Sequence, residues 1–266
     1  MMNLYAFSVF NLSGDPPSTP MDIFGGHWKN HREKIITAWL ETIHEEDTVI
    51  MAGDLSWAMN MDDAISDLKM LGRLPGRKIV VRGNHDYWWD TVTKMTRMTD
   101  GMLEFLHNSA IRTGQVALAG TRGWISETSP KLTETDKPII AREEGRLERS
   151  LDLAEKTGAS RIMAVLHYPP FDEARNPSHM IEIMKAHHVT DCIYGHIHGA
   201  ANFTNLPEEL CGIKLHLTSA DYLDFKPHIT ITGGHGASRI IENEQWLCGR
   251  LEQIPGVKAA APGVEM

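Results

Sequence analysis

Short apolar runs alternate with segments of helical periodicity along most of this chain, and this alternation restricts the fold more than any other feature. Thr48–Ala52 is one such run, stopped by Gly53, whereas Trp28–His44 carries its apolar residues on one helical face. The other predicted strands are Leu4–Phe10, Lys78–Arg82, Leu103–Leu106, Val116–Ala119, Ile162–Leu166, Cys192–Tyr194, Ile213–Leu217 and His228–Thr232. The other predicted helices are Asp62–Leu71, Asp90–Met98, Ile139–Lys156 and Met180–His187. This order predicts an α/β protein of one domain, with two packed sheets and helices outside them.

Composition excludes several classes of protein. The 266 residues are 42% hydrophobic, which is enough for a large core. The net charge is -9, so we expect no long nucleic acid as a partner, because nucleic-acid surfaces normally carry a basic patch. Cys192, Cys211 and Cys248 show no pairing pattern, which is typical of a reducing compartment. With neither a signal-peptide pattern nor an apolar stretch of membrane-spanning length, we expect a cytoplasmic protein without a membrane partner.

Polar residues with metal-binding side chains follow four of the predicted strands. Asp54 follows the second strand, Asn84 the third, His167 a later one, and His196 and His198 the strand Cys192–Tyr194. Open α/β sheets bind their ligands at the carboxyl ends of strands. Imidazole nitrogen and carboxylate oxygen suit divalent transition metals. The sequence therefore predicts a metal site at this edge of the sheets.

The residues beside these candidates indicate what such a site would do. The side-chain oxygen of Asn84 is a neutral ligand, which leaves an ion more Lewis-acidic and favours polarisation of a phosphoryl oxygen. His85 is next in sequence and must point differently, so it is a candidate general acid, with Asp86 as a candidate orienting group. His196 and His198 are two residues apart, so in an extended segment they face the same side, and in a loop they can reach two adjacent ions.

Four motifs in a fixed order support a family resemblance. GDLSW, GNHDYWW, LHYPP and GHIHG resemble the motifs of the calcineurin-like metallophosphoesterase superfamily, and the wider phrases resemble a bacterial branch of predicted phosphohydrolases. The resemblance implies a four-layer α/β/β/α sandwich with two mixed sheets. We expect it to form a metallophosphoesterase domain over residues 1–249, followed by a C-terminal tail, 250–266, with little periodicity.

The resemblance also implies a site with two metal ions. One ion would be held by Asp54, Asn84, His167 and His196, and the other by Asp54, His198 and the aspartate and histidine of a DxH motif. This chain has Val9 and Asn11 at the DxH positions. Val9 has no donor atom and Asn11 offers only an amide oxygen, so we expect one firm metal site and a second, impaired one.

The implied reaction is hydrolysis of a phosphate ester by in-line attack of a metal-bound hydroxide, with His85 protonating the leaving group and Asp86 behind it. The divalent metal would be Mn, Fe, Zn or Mg, and the partner a small phosphorylated substrate, either a monoester or a diester. The alternative is a catalytically weak or inactive relative that binds metal or a phosphorylated ligand. Retention of His85 favours the enzyme, and Val9 favours the alternative. Arg82, Arg122 and Arg142 are candidates either for binding phosphate or for structural ion pairs.

Overall fold

The computed structural model describes residues 2–14, 18–19 and 21–231. The expected boundary at residue 249, the expected tail 250–266 and Cys248 lie outside the described residues. The strands are β1 (Leu4–Ala6), β2 (Thr48–Met51), β3 (Arg77–Val80), β4 (Glu104–Phe105), β5 (Ala110–Thr113), β6 (Val116–Thr121), β7 (Arg161–Leu166), β8 (Asp191–Tyr194), β9 (Glu209–Leu210), β10 (Ile213–Leu217) and β11 (His228–Ile231). The helices are α1 (His31–Thr42), α2 (Met61–Arg73), α3 (Val92–Met98), α4 (Lys137–Glu155) and α5 (His179–Ala186), with short 3-10 helices at Met21–Phe24, Gly26–Trp28 and Ala200–Asn202.

The strands form two mixed sheets. The first sheet has the order β11-β1-β2-β3-β4, in which β1 to β4 are parallel and β11 is antiparallel to β1. The second has the order β5-β6-β7-β8-β10-β9, in which the four central strands are parallel and the two edge strands antiparallel. The parallel centre of each sheet presents several strand carboxyl ends at one edge, which is where polar loops can meet.

Three apolar cores separate four layers. Alternate residues of β1 point to opposite faces: Leu4 and Ala6 lie in a core between the two sheets, whereas Tyr5 packs in an outer core with Trp39 of α1. The third core joins the outer face of the second sheet to α4 and α5. The helix–sheet–sheet–helix order confirms the predicted α/β/β/α sandwich.

Local sequence explains where the main helices begin and end. The Asn60 side chain caps α2 by accepting a hydrogen bond from the backbone N–H of Asp63 at 3.1 Å. At the other end, the buried ammonium group of Lys78 donates to the carbonyl oxygens of Gly72 and Leu74, which are left without helical partners. Proline stands in the first turn of α4, where its missing N–H is not needed. Among the described residues, no helix is both long and apolar enough to span a bilayer.

The structure corrects the predicted extent of the first strand and adds two strands that periodicity missed. The first strand was expected over Leu4–Phe10, but regular pairing ends at Ala6, because Val9 and Asn11 take left-handed backbone angles (φ 58° and 49°) that turn the chain. The edge strands β5 and β9 were not predicted, since both are short, mostly exposed or half-exposed, and lack an apolar run.

Candidate metal centre

The strand ends bring four of the predicted ligands to one place. Asp54 follows β2 and Asn84 follows β3, neighbours in the first sheet. His167 directly follows β7 and His196 follows β8, neighbours in the second sheet. Because the two sheets pack face to face, the four loops converge across the interface between them.

The donor atoms of these residues are close enough to share one ion. Ligand atoms of Asp54, His167 and His196 all lie within 4.8 Å of one another. The Asn84 Oδ1 atom is 2.6 Å from His167 Nε2 and 2.9 Å from His196 Nδ1, and Asp54 Oδ2 is 3.4 Å from His167 Nε2. Asp54 and His167 are buried, whereas His196 is half-buried and borders a cavity. Two oxygens and two nitrogens of this kind form a donor set suited to a divalent transition metal.

The hydrogen bond at the far side of His167 fixes which ring nitrogen faces the site. His167 Nδ1 lies 2.8 Å from the carbonyl oxygen of Ala52, which can only accept, so Nδ1 carries the hydrogen. In the neutral ring, Nε2 then presents a lone pair to Asn84 Oδ1, which is also an acceptor. Two acceptors 2.6 Å apart repel each other unless a cation or a proton lies between them. The residues present therefore fit a metal ion.

The pKa values of the site residues are consistent with a bound cation. Burial lowers the pKa of His196 to about 3, and the neighbouring His167 adds to the effect, so this imidazole is neutral and keeps a lone pair for a ligand bond. Burial would raise the pKa of Asp54, but His167 and the backbone N–H of His85 lower it to about 2. Burial would lower the pKa of His167, but Asp54 and the Ala52 carbonyl raise it, because a proton on Nε2 supplies the positive charge the acceptors require.

Two glycines permit this close approach of the loops. A Cβ on Gly53, whose φ is 88°, would lie 2.6 Å from both Gly83 Cα and His167 Nδ1. A Cβ on Gly83 would overlap the carboxylate of Asp54. A larger residue at position 53 would push its loop away from His167 of the other sheet, and one at position 83 would displace the carboxylate of Asp54.

The structure gives Asp86 a different position from the one expected. Its buried carboxylate accepts hydrogen bonds from the backbone N–H groups of Gly83 (2.7 Å), Asp54 (2.9 Å) and Leu55 (2.9 Å), and from the Trp88 indole N–H (3.1 Å). Among the described residues, no hydrogen bond joins this carboxylate to the imidazole of His85. Burial and the charge of Asp54 raise the pKa of Asp86 to about 6, against the N–H donors that lower it. Asp86 holds the two ligand loops together.

Trp57, rather than Asp86, positions the imidazole of His85. The two rings are stacked, with centroids 4.7 Å apart and an interplanar angle of 7°. His85 Nδ1 is buried without a hydrogen-bond partner, and its backbone N–H donates to Asp54 Oδ1 at 2.9 Å. Burial lowers the pKa of His85, while the charge of Asp54 opposes this. Sequence reasoning missed this stacking, since nothing in the spacing of Trp57 and His85 indicates it.

The remaining predicted ligands lie at the border of the four-residue group. His198 is outside the group whose ligand atoms lie within 4.8 Å, but it lines the same cavity as His196. Asn11 donates its backbone N–H to the carbonyl oxygen of Asp54 at 2.9 Å, and its buried Oδ1 has no hydrogen-bond partner. Val9 packs against Gly195, the residue before His196. An orphaned buried acceptor such as Asn11 Oδ1 is a group that a cation would satisfy.

A cavity of about 440 Å³ opens from the imidazoles of His196 and His198. Its walls combine apolar groups with charged ones, and Tyr168 packs over His196 with ring centroids 4.1 Å apart. A further group of possible ligands, Asp152, Glu155 and His187, lies far more exposed on the helical surface. Exposed acidic groups of this kind are common without a metal, so the buried group is the candidate centre.

The fold and the site define a class of α/β/β/α proteins with a metal site at the strand ends. Comparison with known proteins agrees with this assignment. The family model described as calcineurin-like phosphoesterase matches residues 27–200, and the chain belongs to this family. Membership supports metal-dependent hydrolysis of phosphoesters as the general activity, with divalent metals as the cofactors. No curated protein matches the chain.

One solved structure shares the fold at low sequence identity, and two others match the chain at lower TM-scores. The phosphopantetheinyl hydrolase from Mycobacterium tuberculosis superimposes with a TM-score of 0.54 at 14% identity, covering 88% of this chain and 98% of that one. The calcineurin-like phosphoesterase YfkN from Bacillus subtilis gives a TM-score of 0.48 at 12% identity, with coverage of 95% and 96%. A protein of unknown function from Aquifex aeolicus gives 0.46 at 18% identity, with coverage of 86% and 96%.

Proposed function

We propose that this protein hydrolyses small phosphate esters at a centre whose firm metal site is Asp54, Asn84, His167 and His196. The observation that carries the proposal is the convergence of four ligand atoms, with Asn84 Oδ1 2.6 Å from His167 Nε2. A divalent ion held there would polarise a phosphoryl oxygen and lower the pKa of a bound water. The family of the chain supports the reaction class.

In this proposal the protein's own residues carry out binding, orientation and proton transfer. Ala52 holds the His167 ring in the tautomer that faces the site, and Asp86 fixes the loops that carry Asp54 and Asn84. His85 is held by the face of Trp57 and gives a proton to the leaving oxygen as the ester bond breaks. Its Nδ1 atom is buried, so Nε2 is the atom that delivers the proton.

We further propose that the second metal site is weak. Its remaining residues are Asp54, His198 and Asn11, and Val9 contributes no donor atom. The unpartnered Oδ1 of Asn11 supports residual binding of a hard ion such as Mg²⁺, which can complete its shell with water. The mixed walls of the 440 Å³ cavity favour a substrate with an organic group beside the scissile phosphate.

Metal analysis combined with turnover tests the proposal. The protein is loaded with Mn²⁺, bound metal per chain is measured, and hydrolysis of bis(4-nitrophenyl) phosphate and 4-nitrophenyl phosphate is followed. We expect metal and turnover of at least one ester, both abolished by Asp54→Ala. Asp152→Ala, which removes a carboxylate from the exposed group, is the matched control and keeps both. Stoichiometric metal without turnover of either ester supports the alternative, a non-catalytic relative. The absence of a metal-binding side chain at Val9 favours this alternative.

A further inference from the structure

Four arginines gather around one glutamate beside the proposed metal centre. We call Arg82, Arg122, Arg142 and Arg146 the arginine cluster. They come from three elements: Arg82 follows β3, Arg122 follows β6, and the other two belong to α4. Arg122, Arg142 and Arg146 lie within 4 Å of Glu143, whereas Arg82 makes no ion pair with it among the described residues and interacts with it electrostatically over a longer distance. One carboxylate is thus set against four guanidinium groups.

Glu143 cannot neutralise the whole cluster. It is fully buried, and its two oxygens are occupied: Oε1 accepts from Arg146 at 2.7 Å and Oε2 accepts from the hydroxyl of Thr121. Arg122 and Arg142 approach Oε1 only to 3.8 Å, which is beyond hydrogen-bond distance. Asp86, the other carboxylate acting on Arg82, is taken up by backbone N–H donors. The cluster therefore carries a surplus of positive charge.

Two donors of the cluster lack partners. The Nε atoms of Arg82 and Arg122 are buried and make no hydrogen bond. The Arg122 side chain is only 14% exposed and stacks over the Trp124 ring, 4.4 Å from its centroid. Burial lowers the pKa of both guanidinium groups, while Glu143 opposes this. A buried donor without a partner is rare and costly, and an anion with several acceptor oxygens would satisfy it.

The cluster adjoins the metal centre. The carbonyl oxygen of Arg122 accepts the backbone N–H groups of His167 (3.0 Å) and Tyr168 (2.9 Å). Arg82 stands two residues before Asn84, so their Cα atoms are at most about 7.6 Å apart. Arg122 stacks on Trp124, whose ring packs against Tyr168. The Tyr168 ring in turn packs against His196, a proposed metal ligand. The backbone of the cluster is therefore joined directly to the loops that carry His167 and Asn84.

We propose that the arginine cluster binds a second phosphoryl group of the substrate, other than the one that is hydrolysed. The inference rests on the proposed function and narrows its substrate class to small phosphoesters that carry at least two phosphate groups. Guanidinium groups match phosphate geometry, and several of them around one anion make bidentate contacts.

A purely structural role does not account for the position of Arg142 beside Glu143. Its side chain is 52% exposed, and the one ion pair that it makes within the described part of the chain, to Glu143, is 3.8 Å long. Water screens such a contact, which contributes little to stability. Arg142 is therefore the position at which phosphate binding and folding can be separated. Arg149, seven residues later on the same helix and also exposed, offers the same change of charge but forms no ion pair with Glu143 among the described residues.

Titration of the full chain with inorganic pyrophosphate in the presence of chelator tests the subsite without the metal. We expect binding by the unmodified protein, about tenfold weaker binding by Arg142→Gln, as for loss of a hydrogen bond to a charged group, and binding within twofold of the original by Arg149→Gln. Arg122→Lys, which removes the bidentate fork but keeps the charge, should also bind more weakly. No binding, or equal binding by Arg142→Gln and the unmodified protein, overturns the subsite.

Kinetics with Mn²⁺ separates the subsite from the hydrolase activity. Arg142→Gln should raise KM several-fold for fructose 1,6-bisphosphate and leave KM for 4-nitrophenyl phosphate, which has one phosphoryl group, unchanged. Equal KM changes for the two substrates overturn the subsite. Absence of turnover for every ester, with pyrophosphate binding that still depends on Arg142, overturns the proposed hydrolysis and leaves the phosphate subsite standing.

Discussion

The backbone N–H of Asn11 donates a hydrogen bond to the carbonyl oxygen of Asp54 at 2.9 Å, which fixes the loop after the first strand against the central carboxylate of the metal centre. Both residues have left-handed backbone angles, φ 49° and 56°, and so does Val9, at 58°. Asparagine and aspartate tolerate this region, whereas a β-branched residue is strained in it. The backbone at position 9 thus suits an aspartate better than the valine that occupies it.

Restoring two ligands in this loop should increase metal binding and turnover. In Val9→Asp combined with Asn11→His we expect more Mn²⁺ per chain and roughly tenfold or greater acceleration of diester hydrolysis, a change of about 1.4 kcal/mol in the barrier. Each single variant should give less than half of the double variant's effect on metal binding and turnover, because an ion needs several ligands at once. A second bound ion without faster turnover would show that the missing ligands do not limit the reaction.

The same double variant should respond to metal in its stability. In chelator, the new buried carboxylate opposes the relief of strain at position 9, so we expect no net gain in the free energy of unfolding. Addition of Mn²⁺ should stabilise the double variant more than the unmodified protein, as measured by the shift of the thermal midpoint. Equal shifts would contradict a rebuilt second site.

Removal of the central carboxylate should empty the firm metal site. For Asp54→Ala we expect near-complete loss of bound metal, because the variant leaves His167, His196 and Asn84 without a charged partner. Elemental analysis after dialysis measures the loss, and Asp152→Ala should retain the metal of the unmodified protein. Stoichiometric metal in Asp54→Ala would refute this ligand set.

His85 should act in proton transfer and not in metal binding. For His85→Ala we expect unchanged metal content and a rate lower by about 10²–10⁴-fold for an ester with a poor leaving group. The loss should be much smaller for 4-nitrophenyl phosphate, whose leaving group needs little protonation. His179→Ala, at an exposed imidazole paired with Glu144, controls for removal of a histidine. Equal losses for good and poor leaving groups would rule out an acid role.

Asp86 should support the site by holding the ligand loops. In Asp86→Asn one carboxylate oxygen becomes an NH₂ group that faces backbone N–H donors, so at least one buried donor loses its partner. We expect a loss of about 1–3 kcal/mol in the free energy of unfolding and a roughly 10–100-fold weaker affinity for metal. Urea unfolding in chelator and metal titration measure the two effects. Asp62→Asn, at an exposed position of α2, should change neither.

Asp191 lies at the end of the second sheet opposite the metal centre, and it should make the free energy of unfolding depend on pH. Its pKa lies well below the usual range, because hydrogen bonds from His216, Thr190 and Arg161 outweigh the effect of burial. Its contribution is therefore present above about pH 4 and is lost as the pH falls toward the folded-state pKa.

The variant Asp191→Asn isolates this contribution. At neutral pH we expect a loss of about 1–2 kcal/mol, moderated by water around the partly exposed Arg161. The difference between the two proteins should shrink as the pH is lowered from 4 to 2, as measured by urea unfolding in chelator. A constant difference over that range would contradict the assignment.

The alternation of apolar runs and amphipathic segments was enough to predict two packed sheets with helices outside them. Strand positions followed from short apolar runs bounded by glycine, as at Thr48–Ala52, because a buried parallel strand needs apolar side chains on both faces. The residues after those strands, Asp54 and His167 among them, could also be named as candidate ligands, since ligand sites form where parallel strands end.

Only the tertiary structure decided how these residues act on one another. The carboxylate of Asp86 could turn toward His85 or toward the loop amides, and the amides prevailed because buried N–H groups must find acceptors. The stacking of Trp57 on His85 and the approach of Arg122 to Glu143 join residues far apart in the chain. Local sequence sets backbone conformation and burial, whereas contacts between distant segments depend on how the two sheets pack.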